Sequence, residues 1–113
     1  MNTKILGASG EQQAAKFLKE KGYKILETNF SNKIGEIDII AKDKEFVVFV
    51  EVKARSTKAF GLPSEAVNFH KQQKIHQVAL SYLKSKKILE KVQCRFDVVE
   101  VLGDEIRHIE NAF

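Results

Sequence analysis

The run Glu45–Lys53, EFVVFVEVK, decides the fold of this 113-residue chain. From Phe46 to Val50 it is apolar on both faces, the pattern of a central strand covered above and below and not of an edge. It closes on Glu51-Val52-Lys53, and because strand side chains alternate, Phe49, Glu51 and Lys53 share one face. An acid and a base thus stand at the end of an otherwise greasy strand. Burying such charges is costly unless they are paired, hydrogen-bonded or bound to a metal.

Upstream, Glu36–Ala41 (EIDIIA) reads as a preceding strand, joined through the tight connection Lys42-Asp43-Lys44. A link this short implies an antiparallel hairpin. Strict alternation puts Glu36, Asp38 and Ile40 on one face and Ile37, Ile39 and Ala41 on the other, so Asp38 and Glu51 meet on adjacent strands, on one side of the sheet. Tyr23–Phe30 reads as a further strand, before the turn Ser31–Gly35. Ahead of it, Ser9 and Gln12 form a capping-box pattern that predicts a helix starting near Gly10. Ala14, Ala15 and Leu18 make its inward stripe, Phe17 flanks them, and Gly22 is the stop.

Downstream, Ala54–Pro63 is a basic loop, and Ser64 is placed to cap a long helix reaching to about Lys87. Ile75, Val78, Ala79, Tyr82 and Leu83 form its buried face. Gln93–Leu102 and Glu105–Ile109 close the chain as a hairpin around Gly103-Asp104. The order α-β-β-β-α-β-β describes an α/β fold: a mixed sheet of about five strands flanked by helices. The length suits a single domain over residues 1–113.

A hydrophobic content of 43% fits a globular core and argues against disorder. Cys94 is the only cysteine, which excludes an intrachain disulfide and points to a reducing compartment; in QCRFDVVEV it is expected to pack as a small buried side chain. No apolar run approaches the roughly 20 residues of a membrane span. The segment MNTKILGASGEQQ has no signal-peptide apolar stretch, so the expected location is cytoplasmic, away from membranes. The net charge of +4 is unevenly spread. From Lys53 to Lys91, nine Lys/Arg face only Glu65 and Glu90, a local excess of +7, leaving −3 for the rest. That asymmetry suits a phosphate backbone, although the Lys84–Lys87 cluster reads equally well as a solvated helix face.

Two neighbouring carboxylates repel each other, and a hard divalent cation relieves this directly. Mg²⁺ favours one or two carboxylates plus waters and substrate phosphate oxygens. A site built from Asp38 and Glu51 could polarise a phosphodiester and activate water, with Lys53 near the developing charge. A salt bridge of Asp38 or Glu51 with Lys53 would use the same residues structurally.

The spacing Asp38-x12-Glu51-Val52-Lys53 resembles the D…(D/E)xK motif of the restriction-endonuclease-like superfamily. A longer series, Gly10-Glu11 with Ala14-Ala15, then GYKILETNF, GEIDIIAKD, FVVFVEVKARS, FGLPSEAV, KQQKI and RFDVVEV, resembles the YraN-like uncharacterised bacterial family, whose members are regarded as endonucleases. Archaeal Holliday-junction resolvases are similar at greater distance. The resemblance implies Asp38 and Glu51 as metal ligands, the Val52 carbonyl as a third, and Lys53 as the catalytic lysine. It implies an Mg²⁺- or Mn²⁺-dependent endonuclease acting on DNA, including branched or single-stranded DNA. The alternative is a nucleic-acid-binding module that keeps the fold but has little or no activity. A homodimer would follow the resolvases, because a small single-site nuclease needs two copies to cut two strands. Ile37 stands where the superfamily often has proline.

Around this core, Glu11 extends the inward stripe of the first helix and is a candidate accessory residue, matching the leading-helix glutamate of resolvase-like relatives. Glu36 is a second accessory candidate, or a partner for Lys33 or Arg55. Gln72 and Lys71 prolong the inward face of the second helix, Gln72 toward a metal-bound water or Lys53 and Lys71 toward a phosphate. Arg55, Lys58, Lys71 and Lys74 are the candidate nucleic-acid contacts, with Lys74 on the outer side of its helix. His70, His76 and His108 make no metal motif, and Asp97 is expected to pair with Arg95 or Arg107.

Overall fold

The computed structural model describes residues 3–55 and 67–113. The chain runs α1 (Thr3–Glu20), β1 (Lys24–Ser31), β2 (Glu36–Asp43), β3 (Phe46–Arg55), α2 (Phe69–Ser85), β4 (Gln93–Leu102) and β5 (Glu105–Ile109). The five strands form one sheet in sequence order, β1-β2-β3-β4-β5. Every pairing is antiparallel except β3 with β4, which is parallel over ten residues from Phe46↔Gln93 to Arg55↔Leu102. The expected α/β architecture and element order are present.

The doubly apolar run of β3 is explained by its two covers. Val48 and Val50 face α1 and pack with Ala14, Leu18, Ile39, Ala41, Val99 and Val101. Val47 and Phe49 face α2 and pack with Ile75, Val78, Tyr82, Leu83, Ile40 and Val98. With helices on both faces, Phe49 and its neighbours in β3 are removed from water.

Several boundaries move. Backbone helicity begins at Thr3 and not near Gly10, so Ser9 and Gln12 lie inside α1 and do not cap it. The interior position of Gly10 has a packing reason: a Cβ there would lie 3.0 Å from Ala54 Cβ, so the missing side chain lets α1 approach the end of β3. Gly22 ends α1 as expected, with φ of 97° and a Tyr23 N–H bond of 2.9 Å back to the Leu18 carbonyl. The second helix starts at Phe69 under an Asn68 cap, whose side chain accepts from Lys71 N–H at 2.9 Å. Ser64 lies outside the described residues. The β2–β3 turn centres on Lys44-Glu45, one step later than expected, with Lys44 taking the left-handed conformation at φ 56°. Gly103-Asp104 forms the expected turn between paired Leu102 and Glu105. Cys94 is exposed and not buried, because β4 enters the sheet from the rim and its apolar burial begins only later in the strand.

Two buried carboxylates anchor the far strands. Burial alone would raise the pKa of Asp97, yet His108 (2.7 Å), Arg95 (2.9 Å) and the Asn111 N–H (2.9 Å) hold it below the ordinary range. Glu100, also fully buried, is held low by Arg107 and Arg55 against the same penalty. Among the described residues no helix is long and apolar enough to cross a membrane.

Candidate active site

The β2–β3 ladder runs from Asp43↔Phe46 to Ile39↔Val50 and pairs no further Cα positions. At that point Asp38 takes over the role of a backbone acceptor: Val52 N–H donates to Asp38 Oδ2 at 2.8 Å. Strand alternation breaks here. Ile37 joins the cluster under α2 and Ile39 the cluster under α1, so two residues expected on one face lie on opposite ones. The strict alternation expected for β2 therefore fails at Asp38. The physical reason is the parting of the strands, which frees this residue from the pleat and lets its carboxylate enter the gap.

Glu51 meets it there. The two carboxyl groups lie close enough that each shifts the titration of the other. Burial, the hydrogen bond to Glu51, and the charges of Glu51 and Glu11 raise the Asp38 pKa to about 8, against the opposing pull of Val52 N–H. Glu51 is shifted the other way. Burial disfavours its charge, but the bond from Asp38, the ammonium of Lys71 and the charge of Lys53 outweigh that. At neutral pH the pair thus holds one proton, on Asp38, and one negative charge, on Glu51.

Glu51 is only 6% exposed. Its Oε2 lies 2.6 Å from Lys71 Nζ, so a cation already meets this buried oxygen. Two carboxylates converging at one largely buried point form a position where a cation is favoured. On the α1 side, Asp38 lines a cleft of about 260 Å³ with Glu11, Gln12, Ala15, Thr28, Asn29 and Ile39. The structure thus brings Asp38, Glu51 and Lys71 into contact, places Glu11 across the cleft, and puts Lys53 within electrostatic reach. Among the described residues no three His, Cys, Asp or Glu side chains form a ready-made metal cage. Two carboxylates are a donor set that could hold Mg²⁺ or Mn²⁺, which take one or two carboxylates with waters and phosphate oxygens.

Other candidates stand elsewhere. Gln72 turns its amide to the Val67 carbonyl at 2.9 Å, bracing the start of its own helix. Arg55 binds Glu100 through Nε at 2.8 Å. Glu36 is exposed at the start of β2 and adds its charge to the field at Lys71. Lys74 is exposed on α2 and Lys58 lies outside the described residues. The Val52 N–H is spent on Asp38. Lys71 turns toward the site, as its inward position on α2 implies, and its ammonium contacts Glu51. Glu100 was passed over, although a lone acid in VVEV, two residues after buried Val98, was a readable sign of a buried charge needing partners.

The profile of the uncharacterised protein family UPF0102 matches residues 10–101, a span that includes Glu11, Asp38, Glu51, Lys53 and Lys71. A UPF0102 protein of Alkaliphilus oremlandii is 54% identical over the full length of both chains. One from Caldanaerobacter subterraneus is 52% identical, covering all of this chain and 98% of the relative. One from Clostridium botulinum is 51% identical, covering 97% of this chain and 94% of the relative. Their names assign no activity.

Proposed function

This chain belongs to the uncharacterised protein family UPF0102, the YraN-like group its sequence resembles, and from that premise we propose that it is a divalent-metal-dependent endonuclease acting on DNA phosphodiester bonds. The observation that carries the reading is the convergence of the Asp38 and Glu51 carboxyl groups in the gap between β2 and β3. Asp38 and Glu51 would hold Mg²⁺ or Mn²⁺, with the Val52 carbonyl as a further donor. The ion supplies Lewis-acid polarisation of the phosphate and a more acidic water.

The chain's own residues do the rest. Val52 N–H fixes the orientation of Asp38, so one carboxylate is placed before any ligand arrives. Lys53, two residues beyond Glu51 on the same strand, holds a positive charge where negative charge grows on the reacting phosphate. Glu11 faces the same cleft and can orient water. The +7 segment from Lys53 to Lys91 supports a nucleic-acid partner, and the absence of any possible intrachain disulfide is consistent with a cytoplasmic setting. Homodimerisation would supply a second site for cutting both strands.

The test is cleavage of linear, nicked, single-stranded and four-way DNA with Mg²⁺ or Mn²⁺. Activity abolished by EDTA, and by Asp38→Ala or Lys53→Ala in folded protein, is the expected result. Clean protein that cuts none of these substrates with either metal refutes it. One observation favours a second reading, a DNA-binding module without turnover: Lys71 already balances the Glu51 charge. Salt-sensitive DNA binding unchanged in Lys53→Ala, with no cleavage, would select that reading.

A further inference from the structure

Lys71 lies in the first turn of α2, and its side chain crosses to the sheet, where Nζ sits 2.6 Å from Glu51 Oε2. The two ends of this contact differ sharply in exposure. The Glu51 side chain is 6% exposed and that of Lys71 46%, so the lysine reaches in from solvent and can withdraw without disturbing the core. The ammonium contacts Glu51 and lies in the field of Asp38 and Glu36. It stands at the same carboxylate oxygen for which a divalent cation would compete.

The helix adds a second consideration. The first turn of α2 contains no acidic residue, and a lysine is poorly placed at the positive end of a helix unless an anion balances it. Glu51 supplies that balance now. If a cation takes Glu51, Lys71 needs another anion, and a phosphate oxygen of nucleic acid at the helix N-terminus serves.

Resting on the metal-site reading above, we propose that Lys71 is the resident counter-ion of the carboxylate pair and exchanges with the divalent cation, moving to a backbone phosphate of bound nucleic acid. Metal and nucleic acid then bind cooperatively, since each relieves a competition that hinders the other, and the coupling is reciprocal.

The experiment measures Mn²⁺ binding by calorimetry on the full chain without DNA, for the unaltered protein, Lys71→Met, Lys71→Arg and Asp38→Ala. Lys71→Gln replaces the Met variant if that one does not fold. Loss of the competing charge is expected to tighten Mn²⁺ binding by about tenfold, within the range usual for coupled ligands, while Lys71→Arg stays near the unaltered value. In the presence of Ca²⁺, a single-stranded oligonucleotide should gain affinity for the unaltered protein and gain less for Lys71→Met. Mn²⁺ binding seen only once Lys71 is replaced also supports the exchange. Equal or weaker Mn²⁺ binding by Lys71→Met, with Asp38-dependent binding intact in the unaltered protein, overturns the role of Lys71 and leaves the metal site standing. Absence of Mn²⁺ binding in every variant overturns both.

Discussion

Asp38→Asn should separate the stability of the site from its use. In the folded chain the Asp38 pKa is about 8, whereas an unfolded aspartate titrates near 4. Between these values the folded state binds one more proton than the unfolded state, so stability falls as pH rises, and the contribution is lost once pH passes the folded value. Each pH unit in that window is worth about 1.4 kcal/mol. From pH 6 to 8 the loss is therefore about 2 kcal/mol once solvent screening of a part-exposed group is allowed for. Asparagine copies the protonated acid: its oxygen accepts from Val52 N–H and its amide donates to Glu51, with nothing to ionise. Thermal melts in EDTA at half-unit pH steps test this. Asp38→Asn should match the unaltered protein at pH 6 and exceed it by several degrees at pH 8.5. The difference between the two proteins cancels the titrating groups that do not interact with Asp38. Parallel pH profiles would show that Asp38 does not hold the shared proton, and the electrostatic account of the site would fail.

Other outcomes follow from the same geometry. Mn²⁺ should raise the melting temperature more at pH 8 than at pH 6, because the Asp38 proton must leave before both carboxylates can serve; the shift should vanish in Asp38→Asn. Gly10→Val should destabilise by about 1–3 kcal/mol in a denaturant titration, since its Cβ would crowd Ala54 at 3.0 Å. The double variant with Ala54→Gly should recover most of that loss. Glu100→Gln should cost about 3 kcal/mol at pH 7 by leaving Arg55 and Arg107 beside a neutral amide. Its deficit should shrink as pH falls below the ordinary carboxylate range, because the folded pKa of Glu100 is depressed and its stabilisation is lost there in the parent chain.

Much of the architecture was legible because its signals are local. The apolar run Phe46–Val50 marks a strand covered twice, and Gly103-Asp104 marks a turn that the Leu102↔Glu105 pairing confirms. The candidate residues Asp38, Glu51 and Lys53 stand out because they are chemically out of place in their strands, and Asp38 and Glu51 do meet. Their arrangement was less legible. Period-two alternation contains no sign of a break, and nothing in EIDIIA announces that Ile37 and Ile39 will face opposite helices. That break comes where β2 and β3 part and Asp38 takes Val52 N–H, a contact between strands that no local pattern encodes. The helix starts were misread for a related reason. Asn68 and Ser64 are both competent caps, and a capping-box pattern inside a longer helix is indistinguishable from one at its start.

The mixed sheet also imposes an order on assembly. β1, β2 and β3 are joined by short links, and the β2–β3 turn closes between Asp43 and Phe46. The parallel ladder must bring Phe46 to Gln93, across a crossover that includes all of α2. Loop closure over so much longer a stretch is slower, so contact order places the three-stranded meander ahead of the docking of α2 and β4. Asp38 and Glu51 lie within the early unit, and their partner Lys71 arrives with the late one. On that order the two carboxylates would come together before Lys71 reaches Glu51.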